Sequence, residues 1–219
     1  MDKMKNGAVL RNGTHRTAKE VFEKYAIVIA FLALLIVVSI LCSSFLTPSN
    51  LILVLNQTSI NGILAVGITY VLITAGIDIS IGSVVGLSGV ISAMVVKAGA
   101  PLPVGFLCGI LAGTLVGVII GILVTKGKLA PYIVTLGFLT IIRGAALLIA
   151  GGRPISSLGD AYGWIGNHNV FGVIPCPVII FLIVVVIGHI ILAHLQIGRY
   201  IYAVGGNSNA AEACGISPN

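Results

Sequence analysis

From Val104 to Thr125 the chain runs through 22 residues without a Lys, Arg, Asp or Glu, and Val178 to Leu195 does the same over 18. About 20 such residues are what the hydrocarbon layer of a bilayer requires of a helix. Composition agrees: 58% of residues are hydrophobic, 8% are charged, and the mean hydropathy is +1.14, too little polar surface to coat a soluble globule of 219 residues. In lipid only helices and closed barrels satisfy their backbone. Uninterrupted apolar runs are not the alternating pattern of barrel strands, so the fold class is an all-α membrane protein, a polytopic transmembrane helical bundle.

Six spans are expected, near 26–46, 51–74, 81–96, 104–125, 132–150 and 178–195. A basic segment, 1–24, precedes them with Lys3, Lys5, Arg11, Arg16, Lys19 and Lys24, half of the 12 cations in a chain of net charge +6. In front of a span such a cluster holds the N-terminus in the cytoplasm and meets anionic lipid; it does not indicate nucleic acid. Lys126, Lys128 and Arg199 then fall on the inner side and only Lys97 and Arg153 on the outer, which places both termini inside. No Ala-x-Ala site closes the first apolar run, and Cys42 follows Leu41 instead of a small residue, so neither a secretory nor a lipoprotein signal is expected. Cys42, Cys108, Cys176 and Cys214 are scattered, form no Cys-x-x-Cys pair and read as small packing residues, with no metal site expected.

The stretch Asn56 to Ser92 concentrates the polar residues. Asn56, Gln57 and Asn61 sit at helical spacing near the start of span two, as interhelical hydrogen-bonding glue or as the lining of a wet path. Thr47-Pro48-Ser49-Asn50 before them reads as a tight turn in which Ser49 or Asn50 caps the helix. At the other end Gly76 closes the helix, and Asp78 or Ser80 is placed to cap span three. A carboxylate in such a run costs roughly 3 kcal/mol against lipid, so Asp78 faces protein or water, or caps a helix at the membrane surface.

In span four Gly105, Gly109, Gly113, Gly117 and Gly121 recur every four residues, a seam for close helix packing by a strongly crossed neighbour or by two in turn. Pro101 and Pro103 are expected in the turn before it. Arg143 lies inside span five and is expected to point inward to a carbonyl, an acid or water, with Asp78 a candidate partner, the alternative being a side chain that snorkels to the surface. Residues 151–177 form the longest outer loop, where Tyr162, Trp164 and Phe171 either anchor the interface or cradle a ligand. His189 and His194 are five apart, off a shared face, and are expected as buried, hydrogen-bonded side chains. The last segment, 196–219, should break at Gly205-Gly206-Asn207 and resume as a short helix on the inner face.

Two blocks carry a family resemblance. Gly67-Ile68-Thr69-Tyr70-Val71-Leu72-Ile73-Thr74-Ala75-Gly76-Ile77-Asp78-Ile79-Ser80-Ile81-Gly82-Ser83 resembles the G-M-T-x-V-I-x-T-G-G-I-D-L-S-V-G-S block of bacterial ABC importer permeases for ribose and other simple sugars. Gly198-Arg199-Tyr200-Ile201-Tyr202-Ala203-Val204-Gly205-Gly206-Asn207, with Ala210, Ala211, Gly215 and Ile216, is similar to that family's cytoplasmic coupling loop. The resemblance implies a second permease subunit, cytoplasmic ATPases docked on the coupling residues, an extracytoplasmic sugar-binding protein and a bacterial inner-membrane location. It implies no cofactor, and with no Gly-x4-Gly-Lys-Ser/Thr loop in the chain the ATPase sits on partner subunits. Asn56, Gln57, Asn61, Thr74, Asp78 and Ser80 are the candidate substrate path; Gly198, Arg199, Tyr202, Gly205, Gly206, Asn207, Ala210, Ala211 and Gly215 are the candidate coupling residues. Family members continue with further spans beyond the coupling loop, so the chain reads as a truncated copy. An alternative from another class is a rhomboid-like intramembrane serine protease, with Ser88 of Gly86-Leu87-Ser88-Gly89 paired with His189 or His194.

Overall fold

A computed structural model of the chain describes residues 18–170, 172 and 174–218, and Lys3, Lys5, Arg11, Arg16 and Phe171 lie outside them. The chain divides into two compact units, residues 1–51 and 52–219. In the first, α1 (Ala18–Leu41) starts earlier than the expected span, because Ala-Lys-Glu-Val-Phe-Glu-Lys is rich in helix formers whatever its charge. It also stops earlier, at Leu41, where Cys42-Ser43-Ser44 opens a turn. Thr47 donates its hydroxyl to the Ser44 carbonyl at 2.7 Å, and the Leu51 N–H donates to the Thr47 carbonyl at 3.0 Å. Pro48 is therefore not in the turn but opens α2 (Pro48–Ile73), since the first helical position needs no N–H. Nor do Ser49 and Asn50 act as caps; Asn50 donates its amide to the Phe45 carbonyl at 2.8 Å.

In the second unit α2 ends at Ile73 through a left-handed residue. The Gly76 N–H donates to the Val71 carbonyl at 2.9 Å and the Ala75 N–H to the Leu72 carbonyl at 3.0 Å, a paired closure that needs positive φ at the residue between. That residue is Ala75, at φ 60°, and not the expected Gly76. A Cβ there is disfavoured by about 1 kcal/mol relative to glycine. Ala75→Gly is therefore expected to raise the melting temperature of the detergent-solubilised chain, by roughly 1 kcal/mol of stability less any gain in unfolded-state entropy.

After α2 come α3 (Ile81–Lys97), α4 (Leu102–Thr125), α5 (Pro131–Ile149), α6 (Asp160–Asn167), strands β1 (Asn169–Val170) and β2 (Ile174–Pro175), then α7 (Cys176–His194), α8 (Gln196–Gly206) and α9 (Ser208–Ala213). Pro103 belongs to the first turn of α4 and not to the loop before it. The 151–177 segment is more ordered than a loop: it contains α6 and an antiparallel ribbon pairing Asn169 with Pro175 and Val170 with Ile174. Among the described residues four helices, α2, α4, α5 and α7, are long and apolar enough to cross a bilayer, and α3 and the Tyr25–Leu41 part of α1 are shorter apolar helices. Most of each long helix is uncovered within the chain, so lipid or further protein must cover it.

The core lies where α3, α4 and α5 meet, around Leu87, Val116, Ile120, Val134 and Ile142. The glycine seam of α4 divides in two there. A Cβ on Gly109 would stand 2.8 Å from the Ser88 carbonyl oxygen, and one on Gly113 2.9 Å from the Ser88 hydroxyl; Gly105 meets Val96 and Ser92. Gly117 and Gly121 meet nothing within 4 Å and instead line a cavity. Only the first half of the stripe brings α4 against α3. Gly109→Leu should therefore wedge the two helices apart and destabilise by about 3 kcal/mol, whereas Gly117→Ala should be neutral or stabilising by up to about 1 kcal/mol through helix propensity. Resistance to SDS unfolding of the two variants checks the contrast.

Candidate functional site

One end of the second unit gathers the polar chain reversals. The close of α2, the link that follows it as far as Asp78, the end of α4, the start of α5 and the C-terminal helices surround a cavity of about 640 Å³. Thr74, Asp78, Thr125, Thr135 and Ser208 give its walls polar groups, and Gly117, Gly121, Val204 and Pro218 complete them. Thr125 and Thr135 were not singled out by the sequence; the only signal for them is a hydroxyl near each end of the Lys126–Pro131 turn.

Asp78 does not cap α3 with its carboxylate, and Ser80, the residue at the N-cap, makes no side-chain cap bond either. Asp78 Oδ1 accepts both the Ser80 N–H at 2.8 Å and the Ser80 hydroxyl at 2.6 Å. Ser80 is completely buried, so Asp78 satisfies two polar groups that water does not reach. Thr135, 2% exposed, donates its hydroxyl among the Pro131 carbonyl at 2.9 Å, the Ile77 carbonyl at 3.2 Å and the Tyr132 carbonyl. One turn on, Ser83 donates to the Leu139 carbonyl at 2.9 Å. The Ile77–Ser83 link is thereby tied to α5 at two levels. Thr74 turns back on its own helix, donating to the Val71 carbonyl at 2.9 Å.

The C-terminal helices close this cavity. The chain breaks from α7 into α8 at Leu195, and at Gly198, which is buried in the first turn of α8, a side chain would strike the Ile191 and Leu192 carbonyls. At Gly205 α8 meets the end of α2, in direct contact with the Ile73 carbonyl oxygen. Gly205 and Gly206 are thus helical, and the break falls at Asn207 alone, whose Oδ1 accepts the Ala210 N–H at 3.0 Å and caps α9. Ala211 is buried, and Gly215, at φ 81°, closes α9. Arg199, Tyr202 and Ala210 remain exposed. The Tyr70 hydroxyl donates to the Gly188 carbonyl at 2.8 Å, joining α2 to α7.

The opposite end holds the other candidates apart from this cavity. Asn56 donates its amide to the Gly166 carbonyl in α6 at 3.2 Å, while its Oδ1 is buried without a partner. Gln57 and Asn61 are exposed. Tyr162 stacks on Phe106 with ring centres 5.7 Å apart, and Trp164 on His168 at 4.3 Å. Arg143 does not pair with Asp78: the two line different cavities, and among the described residues Asp78 bonds to Ser80. His189 and His194 are exposed, not buried, and their rings touch edge to face at 5.7 Å because the helix ends at His194. Ser88 packs in the α3–α4 seam, so no serine–imidazole pair forms among the described residues and the protease alternative is not supported. Among the described residues no group of three metal-ligating side chains occurs.

Long apolar helices around cavities of mixed lining, with a short helix pair packed at one end, are the form of a multi-pass membrane protein. The chain belongs to the family described as branched-chain amino acid transport system / permease component, whose model matches residues 50–219. Among individual relatives it is 42% identical to the ribose import permease protein RbsC of Bacillus subtilis over 90% of this chain and 61% of that protein. To the ribose import permease RbsC of Haemophilus influenzae it is 42% identical over 87% of this chain and 60% of that protein. The D-allose transport system permease protein AlsC of Escherichia coli is 35% identical over 89% of this chain and 60% of its own length. The chain thus spans about three-fifths of the length of these relatives. No solved structure matches it.

Proposed function

We propose that the chain is the membrane-spanning permease part of an ATP-driven importer of ribose or a related monosaccharide in the bacterial inner membrane, with both termini cytoplasmic. The observation that carries this reading is the contact of α8 with α2 at Gly205 and Ile73, beside the Asp78 cavity. A helix pair laid across the ends of the spans, with Arg199 and Tyr202 exposed, has the form of a lever on which a cytoplasmic ATPase can push. The lever bears on the α2–α3 link, and that link is hydrogen-bonded to α5. Motion at α8–α9 therefore reaches the helices bordering the cavity without passing through lipid. The names of the relatives favour a pentose or hexose as the solute. A second permease subunit and an extracytoplasmic binding protein complete the assembly.

Of the candidate path residues, Thr74 and Asp78 line the inner cavity, Ser80 is buried behind Asp78, and Asn56 serves as a tie between α2 and α6. The hydroxyls of Thr74, Thr125 and Ser208 are polar groups of the kind that holds a neutral sugar weakly enough to release it. The test is co-purification of the neighbouring ABC-type ATPase with the tagged full chain. Retention by the wild type, and loss on combining Arg199→Glu with Tyr202→Asp, is the expected result; equal retention by both, or by neither, overturns it.

A further inference from the structure

Arg143 stands in the second half of α5, inside its apolar stretch, with an exposed side chain, and it borders two adjoining cavities between α3 and α5. One, of about 420 Å³, is lined by Ile79, Gly82, Ser83, Gly86 and Leu139 with Ala146; the other, of about 720 Å³, continues along Gly89 and Ala150 to Arg153 and Tyr162. Both fall in the roughly 300–1,000 Å³ range of small-molecule sites. From Leu139 to Ala150 the trough follows α5 for roughly 17 Å at 1.5 Å per residue, about half the hydrocarbon thickness. It opens at the 151–158 segment and ends at the level where Ser83 bonds the Leu139 carbonyl. The Asp78 cavity shares no lining residue with it and begins on α5 at Thr135 and Pro131.

A guanidinium at that depth is too costly to leave against hydrocarbon, so the trough holds water, a polar ligand or a polar partner. No carboxylate lines either cavity. We infer that this trough is the extracytoplasmic half of the sugar path, with Arg143 the group that holds a neutral polyol at its inner end; the inference rests on the importer reading above. The chemistry fits. The planar guanidinium fork presents parallel N–H donors to two neighbouring hydroxyls, a match a lysine cannot reproduce. Gly82, Gly86 and Gly89 have open space where a Cβ would stand, so the C–H face of a sugar ring can lie close to the α3 backbone. Arg153 and Tyr162 put polar groups at the mouth. Asn56, the strongest sequence candidate for this half of the path, already gives its amide to Gly166.

The experiment uses the full chain in nanodiscs, with Cys42, Cys108, Cys176 and Cys214 replaced by serine and Gly86→Cys as the reporter. A membrane-impermeant methanethiosulfonate reagent is applied with and without ribose, and ATPase co-purification is measured on the same preparation. Labelling that ribose slows is expected. Arg143→Leu should leave labelling intact while raising the half-protecting ribose concentration about tenfold, the loss of one charge-assisted hydrogen bond, with Arg143→Lys in between. A cysteine that never labels means that lipid, or a helix of a second copy, fills the trough, and overturns the assignment. So does labelling indifferent to ribose. If the ATPase still binds in those cases, only the trough assignment fails; if it does not, the importer reading fails with it.

Discussion

Asp78→Ala is expected to be the most damaging single substitution in the second unit. Its carboxylate takes the N–H and the hydroxyl of a completely buried serine, at 2.8 and 2.6 Å, and nothing else among the described residues takes either group. Bonds to a charged acceptor contribute about 1.5–3 kcal/mol each, and removing the acceptor strands both donors away from water. The loss should be about 4 kcal/mol, read as a lowered melting temperature of the solubilised chain. Asp78→Asn keeps an oxygen at the same place and should lose only about 1 kcal/mol. Equal losses for the two variants would mean that charge, and not this turn, is what Asp78 supplies.

The second large effect concerns two adjacent glycines with opposite outcomes. At Gly205 any Cβ meets the Ile73 carbonyl oxygen, and a backbone atom cannot swing aside as a side chain can. Gly205→Ala should therefore lift α8 off the end of α2, at about 3 kcal/mol, and abolish ATPase retention. Gly206, one residue on, meets nothing within 4 Å, so Gly206→Ala should be neutral or slightly stabilising. Limited proteolysis of the 196–213 helices separates the two: cleavage should speed up for the first variant alone.

How far the sequence could be read depended on the kind of force involved. Hydropathy reports what lipid accepts, and it located the long apolar helices from Leu51 onward to within a few residues. It is blind to the amphipathic α6 and the two-residue ribbon, which are held by Gly, Pro and aromatic contacts such as Tyr162 on Phe106. Between helices in lipid, packing is a matter of fit. The glycine stripe of α4 was visible as a stripe, yet nothing local to it distinguishes Gly109, pressed on Ser88, from Gly117, which faces a cavity. Local geometry misled at two further places. Gly76 read as the residue that closes α2, but the helix ends at Ile73 and the hydrogen bonds to Val71 and Leu72 put the left-handed residue at Ala75. His189 and His194 looked off a shared face of the helix, but their rings meet edge to face with centres 5.7 Å apart.

The residues around Asp78 show the same limit from the other side. The motif marked the carboxylate, while Thr135 and Ser83, which tie its link to α5, are single hydroxyls in apolar runs that only the fold brings opposite the Ile77 and Leu139 carbonyls. Lever, link and cavity are contiguous in space and separate in sequence.

Hydrogen–deuterium exchange of the full chain in nanodiscs, with and without its ATPase subunit, bears most directly on that contiguity. Binding should slow exchange in residues 198–216 and, in the same samples, in the 74–80 link as far as the completely buried Ser80. Protection confined to 198–216 would contradict the coupling of α8–α9 to the Asp78 cavity.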